Sequence, residues 1–222
     1  MAPSDTRTQI LDAAEHLFAE RGFRGTSIRA ITDLAGANLA AVGYHFGSKA
    51  ELLAAVIRRV IEPIIAAQGA GLDRLLARTP DPPVADLVAA FAGPLFDEMP
   101  ADGEGGARTS RLIVTIFGDP AEEMRNWTGP AEDAVRDRYL AAFGRARPDL
   151  PPQELWFRMR GILAVVAVDR ANFYNQPPSA GQSSAAGEVG RDWAITFLAA
   201  AMSAPPTGNP RPGTAAPATP CP

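Results

Sequence analysis

Residues 26–51, TSIRAITDLAGANLAAVGYHFGSKAE, decide how this chain is read. Ile28, Ile31, Leu34 and Ala35 recur at helical spacing, and Ala35-Gly36-Ala37 then breaks the helix. Asn38 is suited to cap a following helix. Ser48-Lys49-Ala50-Glu51 is a capping box that opens another, with Ser at the cap and Glu three residues on. Two short helices joined by a tight Gly-containing turn make a helix-turn-helix, whose second helix fits a DNA major groove. The spacing predicts sequence-specific recognition of duplex DNA.

Upstream, Ile10, Leu11, Ala14, Leu17 and Phe18 form the apolar stripe of a helix predicted over 6–21, with Gly22 as its stop and Phe23 plugging a small core. Thr26 is expected to cap the second helix, and the third should end near Tyr44. A fourth carries Leu52, Leu53, Val56, Ile57, Val60 and Ile61 on more than one face, as a helix touching both a head and a body would. Pro63 lies inside that pattern and removes the bond to the Arg59 carbonyl, so a kink or an end is expected there. Prolines and glycines then separate helical stretches predicted over 84–98, 107–117, 131–146, 153–174 and 188–202. No long period-two alternation appears. The predicted fold is all-α, with about nine helices: a three-helix head at 1–50 on a helical body at 51–203. Residues 177–187 read as a flexible connector. Residues 204–222 hold seven prolines and almost no bulky apolar groups, which predicts a disordered tail.

Composition narrows the function. The longest apolar run, residues 162–168, falls far short of the roughly 20 needed to cross a bilayer. The polar start, Ser4-Asp5-Thr6-Arg7, lacks the apolar block of a secretion signal, and Cys221 is the only cysteine. A cytoplasmic setting without disulfides, metal or other cofactor, or membrane partner is expected. Net charge is −4, yet residues 21–59 hold six basic residues against two acids, leaving fifteen and twenty-three elsewhere. Screening confines phosphate attraction to about 8 Å at physiological salt, so a basic head can work on an acidic body.

Residues 18–53 resemble the DNA-binding domain of the TetR family of bacterial transcriptional regulators. The resemblance rests on Phe18-x-x-x-Gly22-Phe23, Thr26-Ser27, the Ala35-Gly36 turn, Tyr44-His45-Phe46, and Ser48-Lys49 before a long helix. Residues 58–63, 90–95 and the 149–161 region resemble the subgroup with a PsrA-like C-terminal domain. The resemblance implies a helical body that binds a small ligand and dimerises. Some members of that subgroup answer to fatty acyl compounds, which makes an acyl compound a candidate effector.

Asn38 to Tyr44 should be the recognition helix. It contains no Arg, Lys or Gln, the side chains that commonly read G and A edges. Val42 and Phe46, four apart, are expected in the core. Leu39, Ala40 and Ala41 then face the groove, where apolar groups can touch thymine methyls. Gly43 either lets the backbone approach DNA or merely weakens the helix by about 1 kcal/mol. Arg29, in the second helix, is the best candidate to hydrogen-bond a base, though it also reads as an ordinary surface arginine. The resemblance implies that Thr26, Ser27, Tyr44, His45 and Lys49 grip the phosphate backbone. Lys49 is the only lysine of the chain.

One head reads too few base pairs to find an operator among competing sites, whereas a two-fold dimer reads a near-palindrome. Leu155, Met159, Ile162 and Val166 form one candidate interface stripe; Trp193, Phe197 and Ala200 form another. Phe91, Leu95, Leu112, Ile116, Trp127, Tyr139, Trp156 and Met159 are candidate walls of an effector pocket, since the central helices of a bundle commonly enclose ligands. Each also reads as ordinary core. Arg108 or Arg111 would neutralise an acidic ligand or simply sit in surface ion pairs. With both histidines in the head and no Gly-rich phosphate loop or paired metal motif, an enzyme is not expected. The sequence predicts a dimeric regulator, most simply a repressor that a small hydrophobic ligand releases from operator DNA. The alternative is a helical dimer working through protein contacts, its head a relic.

Overall fold

The computed structural model describes residues 5–98, 104–118, 130–170 and 184–207. Among these residues every regular element is a helix. The first four are α1 (Thr6–Gly25), α2 (Ile28–Ala35), α3 (Leu39–Phe46) and α4 (Lys49–Arg78). They are followed by α5 (Val84–Glu98), α6 (Glu104–Gly118), α7 (Pro130–Ala146), α8 (Pro152–Arg170) and α9 (Ser184–Ser203). The all-α expectation holds for the described residues.

The head is built as the apolar spacing requires. Ile10, Leu11, Ala14, Leu17 and Phe18 are buried against Ile31 of α2, Val42 and Phe46 of α3, and the start of α4. Burial of each of the larger side chains is worth on the order of 1.5–3 kcal/mol. Gly22 interrupts α1 with φ 68° and ψ 177°, and one more turn follows it. The α2 cap differs from the expectation. Ser27 accepts the Ala30 N–H at 3.1 Å, while Thr26 is turned inward. Gly36 closes α2 with φ 63°, a left-handed value that would cost a residue with a Cβ roughly 1–2 kcal/mol. Asn38 caps α3 by accepting the Ala40 N–H at 3.0 Å. Only half of the capping box forms: Ser48 accepts from Glu51 N–H, but the Ser48 N–H goes to the Phe46 carbonyl.

Pro63 does not end its helix. α4 runs through it for 30 residues, and Thr79 is the cap. Ile61 and Ile64 are buried on either side of the exposed proline, so packing overrides a local cost of about 3 kcal/mol. This continuous helix crosses the expected 50/51 boundary and belongs to head and body alike. Arg59 of α4 pairs with Asp12 (2.7 Å) and Glu15 of α1, and α1 also packs on α6. The head is therefore braced on the body at two places.

In the body, α5 lies against α4, α8 and α9. The Phe91 ring meets Tyr139 at 4.8 Å and Phe143 at 6.4 Å between centroids. The Tyr139 hydroxyl donates to the Gln68 carbonyl, and the Gln68 amide donates to the Phe91 carbonyl. Burial pushes the Tyr139 phenol well above its ordinary range, so it stays a donor. Pro94 sits inside α5 and leaves the Ala90 carbonyl without its helical donor. Gly71 of α4 lets the backbone come close there, since a Cβ would lie 3.4 Å from that oxygen.

The last segments depart from expectation. α9 begins at Ser184, inside the stretch read as a connector, whose residues 177–183 lie outside the described set. The predicted extension of α8 over 171–174 lies outside it as well. The first residues of the predicted tail are held rather than loose. Arg147 donates to the carbonyls of Met202 and Ala204, and Arg158 to those of Ala201, Met202, Ala204 and Pro205. Glu154 accepts from the Thr207 N–H and hydroxyl. Two arginines thus satisfy the carbonyls that end α9, a role that spacing alone does not announce.

Candidate nucleic-acid interface

α3 presents an outer face and an anchored one. Val42 and Phe46 are buried, as their spacing predicts, which turns Leu39, Ala40, Gly43 and Tyr44 outward. Leu39 is 58% exposed and Tyr44 86%. Neither fills the head's core. Ala41 is half-buried and gives little to the outer face. A Cβ on Gly43 would meet nothing within 4 Å, so packing does not demand glycine there. His45 is half-buried, its ring set edge-on to Tyr44 at 4.9 Å. Ser27 and Arg29 are exposed at the N-terminal end of α2, and Asn38 at that of α3.

Thr26 does not belong to this surface. It is 2% exposed, and its hydroxyl donates to the Leu17 and Gly22 carbonyls at 3.1 and 2.8 Å. It ties the turn after Gly22 to α1 and cannot reach a phosphate. Lys49 lies in the first turn of α4 with Nζ 4.2 Å from the centre of the Phe23 ring. That cation–π contact fixes the ammonium beside α3 and gives Phe23 a second task besides filling the core. The charge count also changes in three dimensions. Arg59 is tied to Asp12 and Glu15, which lie outside the 21–59 window, and Arg58 sits 3.7 Å from Glu62. Arg7, outside the same window, is brought to the Phe46 ring at 5.3 Å. Sequence distance concealed it, since 39 positions separate the two residues.

Comparison with known proteins bears on the same region. Residues 10–56 match bacterial regulatory proteins of the tetR family, and residues 89–201 match the tetracyclin repressor-like C-terminal domain. The second match alone takes in half of the chain. The chain belongs to the TetR family.

Among curated relatives of this TetR-family chain, the transcriptional repressor KstR2 of Rhodococcus jostii is 39% identical over 61 residues, covering 28% of this chain and 30% of that protein. The transcriptional activator FasR of Mycolicibacterium smegmatis is 30% identical over 133 residues, covering 60% and 58%. The chain thus spans between about a third and three fifths of these two relatives' lengths. The solved structure of the ketosteroid transcriptional regulator KstR2 of Mycobacterium tuberculosis shares the fold, with a TM-score of 0.56 at 20% identity over 89% of this chain and 94% of that one. These families and relatives are transcriptional regulators, not enzymes. The match of the body is to the broad C-terminal domain and does not single out a PsrA-like subgroup.

The body of the TetR-family chain sorts the remaining candidates. Phe91, Leu95, Leu112, Tyr139 and Met159 are buried together. Trp156 is not among them; it is 37% exposed on the outside of α8, with Arg136 over its ring at 5.9 Å, and so is no pocket wall. Trp127 lies outside the described residues, as does the side chain of Ile116. A cleft of about 270 Å³ opens elsewhere, at Asp81, Pro82, Pro83, Val84, Ala142, Arg145 and Ala146. The first interface stripe is corrected outright. Leu155, Met159, Ile162 and Val166 are buried within the protomer and face its own core. The second stripe stays outside: Trp193 is 72% and Phe197 61% exposed, with Ala200 beside them. Phe157 and Val165 of α8, which the sequence reading did not single out, are exposed too. Periodicity shows that α8 is apolar on two faces but not which one its neighbours cover. No helix among the described residues is long and apolar enough to cross a membrane.

Proposed function

We propose that the chain is a dimeric regulator that binds operator DNA through α3, most simply as a repressor. The observation that carries this reading is the outward row of Leu39, Ala40, Gly43 and Tyr44 on a helix pinned from behind by Val42 and Phe46. Such a face offers methyl groups, a phenol and bare backbone to a major groove. Ser27, Asn38, Tyr44, His45 and Lys49 supply backbone contacts, and Arg29 is the hydrogen-bonding reader. A second copy covers the apolar face of Phe157, Val165, Trp193 and Phe197. Exposed groups of that size on two adjacent helices support an interface between copies.

Phe91, Leu95, Leu112, Tyr139 and Met159 form an apolar centre that suits a hydrophobic ligand, and an acyl compound and a PsrA-like body stay within this proposal. Ligand acts by favouring dimers whose heads are wrongly spaced, lowering operator affinity by the ratio of its two affinities. Continuous α4, braced on α1 by Arg59, acts as a lever that carries body movement to the head. The test is a titration of the DNA upstream of the chain's own gene, followed by fluorescence anisotropy. Saturable binding that a mixed-sequence duplex does not compete away supports the reading. Equal affinity for both duplexes removes sequence recognition and leaves the relic head.

A further inference from the structure

We infer that Arg7, in the first turn of α1, is an additional phosphate contact, seated for that task on the ring of Phe46. The inference rests on the DNA-binding reading above and adds an element that reading does not use. Arg7 is exposed, and its guanidinium carbon lies 5.3 Å from the centre of the Phe46 ring. Phe46 is the last residue of α3, next to His45 and two positions from the outward Tyr44. The fold therefore puts a cation from the start of the chain at the end of the recognition helix.

Its chemical setting differs from that of the structural arginines. Arg59 is held by two carboxylates and Arg147 by Asp149, so their charges are spent inside the protein. Among the described residues no carboxylate pairs with Arg7, and its guanidinium lies over the Phe46 ring. Its place on α1 is also electrostatically poor. The positive end of a helix dipole disfavours a cation; the first turn of α1 contains no acid, and Asp5 at the N-cap forms no ion pair with Arg7 among the described residues. A guanidinium kept there has charge left for an anion. The aromatic face narrows its rotamers without neutralising it; a ring contact of the same kind, from Phe23, seats the Lys49 ammonium. A ring-seated guanidinium thus stands at the C-terminal end of α3, and a phosphate beside the groove is the anion that it suits.

The test measures salt dependence on a 30-base-pair duplex of random sequence, for full-length wild type and the variants R7Q, R7K and K49Q, alongside each melting midpoint. The logarithm of affinity should fall with the logarithm of salt concentration, and R7Q should flatten that slope by about 0.9 per protomer, with R7K retaining it. The R7Q midpoint should stay level or rise, because a charge placed against a helix dipole is gone. A wild-type slope in R7Q, with K49Q flattened, overturns the role of Arg7 while leaving the DNA-binding reading intact. A lowered R7Q midpoint with an unchanged slope makes Arg7 a packing residue and overturns the inference equally. Absence of any wild-type binding would remove both readings together.

Discussion

Two residues that the family resemblance joins have separate tasks in three dimensions. Thr26 and Lys49 were both expected to grip phosphate, yet Thr26 is sealed beneath α1 and its hydroxyl serves two carbonyls. Thr26→Val should therefore lower stability by about 1–3 kcal/mol, read as a shifted denaturant midpoint, because those buried acceptors lose their donor. The salt dependence of DNA affinity should not change; a flattened slope would restore Thr26 to the interface. Lys49→Ala should do the reverse, losing about 0.9 of salt slope per protomer with little change in midpoint. An unchanged slope there removes Lys49 from the contact set. The caps at Asn38 and Ser48 and the core positions Val42 and Phe46 were legible in the sequence, because a cap bonds within three residues and the i, i+4 spacing of the two apolar side chains marks one helix face. Thr26 was not, because its acceptor Leu17 is nine positions away.

At the scale of elements, α4 departs furthest from local rules. A proline in a helix interior costs about 3 kcal/mol relative to alanine, so Pro63→Ala should raise stability by roughly 1–3 kcal/mol if the helix is already continuous. A loss of stability would mean that a kink at Pro63 is part of the native packing. The end of α9 offers a second test. The Thr207 amide and the Arg158 guanidinium hold the Glu154 carboxyl below its ordinary range, and Arg147 does the same for Asp149. A lowered folded-state pKa adds stability that is present above the unfolded value and is lost as pH falls through the folded one. The amide resonance of Thr207 should accordingly hold steady through neutral pH and move towards its free position only below about pH 4. E154Q should show the free position at neutral pH; a Thr207 signal indifferent to both changes would show that residues 204–207 are not clamped. Among the described residues the helices and most of their boundaries were legible because Pro and Gly punctuate the chain. The clamp was not, because it joins Glu154 and Arg158 to residues more than forty positions on.

For the whole molecule the division into inner and outer faces matters most. Leu155, Ile162 and Val166 have the right spacing for an interface and are instead core, whereas Trp193 and Phe197 are free to meet a second copy. W193S/F197S should sediment as a folded monomer at concentrations where wild type is a dimer. An unaltered sedimentation coefficient places the interface elsewhere. Leu155→Ala should cost about 2–5 kcal/mol of stability, the signature of a core site. Sequence period cannot separate two apolar faces of one helix; only the helices packed on either side can. The most direct measurement of the central claim is a hydroxyl-radical footprint on the DNA upstream of the chain's own gene. If α3 of each protomer enters a groove, two protected tracts should appear, related by two-fold symmetry with centres about 34–36 Å apart or a multiple of it. Both should vanish together when Leu39 and Tyr44 are replaced by aspartate. Uniform cleavage under saturating protein, or protection that survives those replacements, would contradict the account.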